Sequence, residues 1–221
     1  MDFVRYIFLY MLKASARVLF PTHFEWITKE PDSWKDVSVI LVLNHTSLME
    51  FLYAGGLPYS YLKEVASRLI LPVADKTYDS PVKGIFFKHL ASKSIRLTRK
   101  RDESWKTFIK SIEPDKDICI FMPEGRMKRK TGLDQNGNPM TVRKGVKELL
   151  EIYKDKKMVI TYSQGLHHVL APGEKFPRLG QPIHAKMEYL EINDYLNSLP
   201  NLDGETIRLD LETRRNVHCP S

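Results

Sequence analysis

The run Val37–Leu43 (VSVILVL) is the strongest constraint on what this chain can fold into. It is almost continuously apolar, the pattern of a strand covered on both faces rather than one with a wet side. Further β-rich runs lie at Leu69–Ala74 and at residues 94–98, 118–122, 158–162 and 182–189. Helical patterns separate or follow them at residues 48–54, 82–91, 103–112, 142–153, 190–199 and 204–216. Strands alternating with helices imply an α/β fold with a central, largely parallel sheet flanked by helices. In such sheets ligands bind beyond the carboxyl ends of the strands. The residues that follow each strand are therefore the ones to inspect. The sequence shows no internal repeat and no low-complexity linker.

The first twenty residues, MDFVRYIFLYMLKASARVLF, are too interrupted by charge for a membrane span, which needs roughly 20 mostly apolar residues. Val4, Ile7, Phe8, Met11, Leu12, Val18 and Leu19 fall on one helical stripe, Arg5, Lys13 and Arg17 on the opposite side, and Pro21 ends the run. This predicts an amphipathic helix that either packs on the body or lies in a membrane interface. Residues 1–30 are read as an amino-terminal membrane-associating helical segment and residues 31–221 as the α/β domain. A net charge of +7 favours an anionic partner: nucleic acid, an acidic membrane surface or a phosphorylated substrate. Only two cysteines, Cys119 and Cys219, rule out a disulfide scaffold.

After the first strand comes Asn44-His45-Thr46-Ser47-Leu48-Met49-Glu50. His45 stands where the strand stops, with a carboxylate five residues on. Within one helix that spacing would set the two on different faces, so they can meet only if His45 precedes the helix and Glu50 lies in its first turn. Ser47-x-x-Glu50 also fits a capping box, a purely structural task for Glu50, and a buried structural histidine is the corresponding reading of His45. After the 94–98 run comes Arg99, with Gly84-Ile85-Phe86-Phe87 upstream. After the 118–122 run comes Pro123-Glu124-Gly125-Arg126. Each of these basic strings alone reads as a solvated surface run.

Taken in order and spacing, these strings resemble the glycerolipid acyltransferase family, whose best-known members are the 1-acylglycerol-3-phosphate acyltransferases. The resemblance extends from about Val37 to Pro182, ending at Gly180-Gln181-Pro182-Ile183. The chain departs from the family pattern in three places. Glu50 stands where the family has Asp, Pro-Glu-Gly-Thr-Arg is shortened by one residue, and Val159-Ile160-Thr161 lacks the proline of the fourth motif. The sequence holds no P-loop, dinucleotide fingerprint, HExxH or CxxC, so no cofactor and no metal are expected. The resemblance implies a phospholipid-synthesising acyltransferase. Its donor would be acyl-CoA or acyl-carrier protein and its acceptor a lysophospholipid. Lysophosphatidate comes first, with glycerol-3-phosphate or a lyso-aminolipid as alternatives. It implies His45 and Glu50 as the catalytic pair. Arg99, Glu124, Gly125 and Arg126 would bind substrate. It also implies a peripheral protein on the cytoplasmic face of a bacterial inner membrane.

Two other classes fit parts of the sequence. Thr161-Tyr162-Ser163-Gln164-Gly165 with nearby His167 approximates the nucleophile elbow of a serine hydrolase but lacks its first glycine. The basic clusters at residues 93–101 and 126–130 would suit a nucleic-acid or lipid-binding module without catalysis, but leave the His–Glu pair unexplained, so no nucleic-acid partner is expected.

Overall fold

The computed structural model describes residues 2–98 and 102–219. Seven strands form one sheet in the order β1-β7-β6-β2-β5-β3-β4. They are β1 (Thr22–Trp26), β2 (Val37–Leu43), β3 (Leu69–Ala74), β4 (Lys93–Leu97), β5 (Ile118–Phe121), β6 (Lys157–Ser163) and β7 (Ile183–Glu191). All pairings are parallel except β6 with β7. The largely parallel α/β sheet expected from the sequence is therefore present.

The core divides into two layers because β2 is buried on both faces. Ile40 and Val42 face one layer with α1 (Asp2–Leu19), the 3-10 helix Leu48–Gly56 and α2 (Tyr59–Arg68). Val39, Leu41 and Leu43 face the other, with α5 (Glu103–Ser111), α6 (Val146–Ile152), α8 (Ile192–Asn197) and α9 (Gly204–His218). A register shift between Val37 and Val39 puts Val37 on the same side as Ile40. The short helices α3 (Asp75–Tyr78), α4 (Pro81–Leu90) and α7 (His167–Leu170) fill the connections. Gly84 on α4 is set by a close approach, since a Cβ there would lie 2.2 Å from the Tyr78 carbonyl oxygen.

Two sequence expectations need correction. Residues 22–26, read within the helical segment 1–30, form edge strand β1, paired with β7 from Thr22 against Ile183 to Trp26 against Met187. Lys13, placed on the solvent side of the first helix, is buried. Its Nζ donates to the Leu57 carbonyl and lies 4.3 Å from the Tyr59 ring centroid. Burial, with the nearby Arg17 charge, pulls its pKa down to about 8. The helix packs through Leu9, Lys13 and Ala16, while Phe3, Val4, Ile7, Met11 and Val18 stay exposed. Among the described residues, no helix is long and apolar enough to cross a membrane.

Candidate active site

The site is built where β2 stops. Leu43 is still in the sheet, but Asn44 adopts φ 64°, a left-handed conformation that is uncommon outside glycine and turns the chain sharply. Two bonds hold that turn. Asn44 Nδ2 donates to the Ser163 carbonyl at the end of β6 (2.8 Å), and Asn44 N donates to Glu124 Oε1 (3.3 Å). The next amide, His45 N, donates to Glu124 Oε2 at 2.7 Å.

His45 precedes the 3-10 helix and Glu50 lies in its first turn, the one arrangement in which the pair can meet. His45 Nδ1 lies 3.2 Å from Glu50 Oε1; the histidine side chain is 12% exposed and the carboxylate 1%. Oε1 also accepts from Thr46 N and Ser47 N, both at 2.8 Å, and Ser47 Oγ accepts from Met49 N, completing a capping box. The two readings of Glu50 are thus not exclusive: one oxygen closes the cap and faces the imidazole. Among the described residues, Oε2 has no hydrogen-bond partner.

Beside this pair a cavity of about 480 Å³ runs into the layer beneath α1, within the size range of small-molecule pockets. Its walls are mostly apolar, with Leu9 and Leu12 from α1, Val65 from α2 and Phe87 from α4, and His45, Glu50, Gly125 and Arg143 also line it. Gly125 sits at φ 65° with nothing within 4 Å of where a Cβ would be, so glycine there serves backbone conformation rather than space.

The structure separates the residues that the sequence grouped for substrate binding. Glu124 is buried and its carboxylate is taken up by the Asn44 and His45 amides and by Arg215 Nη1 at 2.7 Å. It holds the chain that bears His45 rather than facing the cavity. Arg126 is ion-paired with Asp134 and is absent from the cavity wall. Asp134 also accepts from the Asn136 and Asn138 amides; the Asn138 bond, then Arg126, hold its carboxyl down at about 2. Arg99 lies outside the described residues. Two cations line the cavity: Arg143, exposed and in no ion pair among the described residues, and Lys144, which pairs with Glu205 at 2.8 Å. The sequence reading missed Arg143 by including it in a helix from residue 142, whereas α6 begins at Val146. The available signal was the Arg-Lys-Gly string ahead of the helix.

The alternative constellations come apart. Ser163 Oγ is buried against Tyr53 Oη at 2.5 Å and accepts from Gly165 N, while the His167 ring bonds the Lys128 carbonyl oxygen. No serine–histidine pair forms there. In the basic clusters, Lys93 pairs with Glu113 and Asp117, Arg96 with Asp79, and Lys130 with Glu174. Among the described residues, no group of three or more His, Cys, Asp or Glu side chains is placed to hold a metal.

No family model matches this chain, and no curated protein matches it in sequence. Its fold is similar to the crystal structure of the 1-acyl-sn-glycerophosphate (LPA) acyltransferase PlsC from Thermotoga maritima. The TM-score is 0.62 and the identity 14%, over 96% of this chain and 78% of that one. At that identity the likeness speaks for the fold.

Proposed function

We propose that this chain is an acyltransferase that moves a fatty acyl group from acyl-CoA or acyl-carrier protein to a hydroxyl of a lysophospholipid, with 1-acylglycerol-3-phosphate as the first acceptor. The observation that carries the reading is the His45–Glu50 pair, 3.2 Å apart, in the wall of a mostly apolar cavity. An alcohol attacks a thioester poorly until its proton is removed, and a neutral imidazole suits that task near pH 7. His45 takes the hydroxyl proton as the oxygen adds to the thioester carbonyl. Glu50 stabilises the imidazolium that forms. Collapse of the tetrahedral intermediate breaks the C–S bond, and the proton passes to the departing thiolate. The substrate hydroxyl does the work of an enzyme nucleophile, so none is required.

The cavity suits the acyl chain, since each buried methylene is worth about 0.8 kcal/mol. Arg143 in its lining suits the acceptor phosphate, for which a guanidinium offers a two-pronged contact. The family resemblance adds Arg99 to that role. The exposed apolar residues of α1, with Val82 and Ile85 on α4 beside it, suit the interface of an anionic membrane. Phe8 and Phe86 join the two helices, with ring centroids 5.7 Å apart. A peripheral site on the cytoplasmic face of an inner membrane would supply lysolipid directly.

The test is to incubate purified protein and liposomes with labelled acyl-CoA or acyl-carrier protein and a panel of lysolipids, and to identify the product by mass spectrometry. The expected result is one acylated lipid whose formation falls ~10²–10⁴-fold in His45→Ala. Absence of transfer to every acceptor from either donor, with folded wild-type protein, refutes the reading.

A further inference from the structure

Glu124 poses a problem that its own neighbourhood in sequence does not solve. Its side chain is 1% exposed, and a carboxylate taken out of water needs a partner charge and donors for its oxygens. The nearest arginine in sequence, Arg126, is engaged by Asp134. The cation comes instead from the far end of the chain. Arg215, in the last turn of α9, donates through Nη1 to Glu124 Oε1 at 2.7 Å and to the Met140 carbonyl at 3.1 Å. Three residues earlier on α9, Glu212 accepts from Val142 N at 2.8 Å. Residues three apart lie on one helix face, so a single face of α9 grips the segment before Arg143 and the carboxylate behind His45. Both grips come from residues beyond the span of the family resemblance.

We propose that Arg215 is a positioning residue for the catalytic pair: it holds the Glu124 carboxylate in place, and Glu124 fixes the two amides that present His45 to Glu50. The chain of cause is short. The Glu124 carboxylate accepts at both oxygens, from Asn44 N and His45 N, and Arg215 anchors it from the far side. Without that anchor the Glu124 side chain turns away from the amides, and one of the two bonds is lost. Asn44 then has less to hold it at φ 64°, and the His45 ring moves relative to Glu50.

The test reads the His45 ring itself by NMR titration of histidine-labelled protein, with His45→Gln to assign the signal. Arg215→Gln is expected to shift the His45 titration midpoint by at least about half a pH unit and to lower kcat about 10- to 100-fold. KM for donor and acceptor should stay within about threefold, and Arg215→Lys should restore part of both effects. Arg214→Gln, on the same helix but paired with Glu188 and Asp210, is the control: it should leave the titration unchanged even if Tm falls. A His45 titration in Arg215→Gln identical to wild type overturns the proposal. If Arg215→Gln does not fold, Glu124→Gln decides, since it removes the carboxylate that Arg215 holds and keeps its size. A His45 titration in Glu124→Gln identical to wild type then overturns the proposal, and a shifted titration sustains it. The kinetic arm rests on the acyl-transfer reading; the titration does not, so the two can fail separately.

Discussion

Glu50→Gln separates what the Glu50 carboxylate does for His45 from what it does for the helix start. In wild type, Oε1 meets the imidazole and two backbone amides. At 3.2 Å and an effective dielectric of about 20, a carboxylate and an imidazolium attract by roughly 5 kcal/mol. The glutamine dipole recovers part of this. The expected loss in kcat is then about 10²–10³-fold, or roughly 3–4 kcal/mol of barrier. The amide oxygen of glutamine can still accept from Thr46 N and Ser47 N, so the cap is kept. Its NH₂ must occupy the place of Oε2, which has no partner among the described residues. A buried donor left unsatisfied costs about 1–3 kcal/mol, and Tm should fall by roughly 2–12 °C. The assay is initial rate at saturating donor and acceptor, at a temperature well below the variant's Tm, with melting followed in parallel. A variant that keeps kcat within threefold of wild type while Tm falls would refute the catalytic reasoning and leave Glu50 only its cap.

Steady-state kinetics should divide the arginines: Arg143→Ala raises the acceptor KM about 10- to 100-fold through a lost charge-assisted contact worth ~1.5–3 kcal/mol, with the donor KM unchanged. Arg126→Ala should lower Tm by freeing Asp134 and leave the acceptor KM within threefold. The Asp134 carboxyl is held at about 2 in the fold against an ordinary value of 3.8. Its contribution is therefore complete above about pH 4 and is lost as pH falls through about 2. In urea melts, the stability gap between wild type and Asp134→Asn should close over that window; a gap constant with pH counts against the assignment. Val4→Ser with Met11→Ser, at positions 70% and 63% exposed, should weaken sedimentation with anionic liposomes while Tm stays within a few degrees. Unchanged sedimentation would exclude α1 as the membrane contact.

The interior of the sheet was legible because a strand buried on both faces is almost continuously apolar, as β2 is; β3 also appears with the bounds read from sequence. Strand β1 was not legible: THFEW lies at the sheet edge, alternates between exposed and half-buried, and follows directly on a helix. Helix α2 also escaped notice, since its buried residues Tyr61, Leu62, Val65 and Ala66 include a polar-tipped tyrosine, whose hydroxyl bonds the Val37 carbonyl. His45 and Glu50 were legible because the segment that brings them together is local. Arg143 and Arg215 were not, because their places depend on where separate segments are carried by the fold. The Arg126–Asp134 pair depends on a turn in which Asp134 receives the Asn136 and Asn138 amides, a tertiary detail that the basic run around Arg126 conceals.

Helix α1 is a partition with two working sides. Leu9 and Leu12 face the cavity, while Val4, Ile7 and Met11 face outward. A displacement that deepens the outer side in lipid also shifts the inner wall against whatever fills the cavity. If occupancy of the cavity changes the affinity for lipid by some factor, lipid must change the affinity of the cavity occupant by the same factor. Acyl-chain affinity measured on dispersed protein and on liposome-bound protein would then be two different constants, and their ratio would report the coupling carried by this one helix.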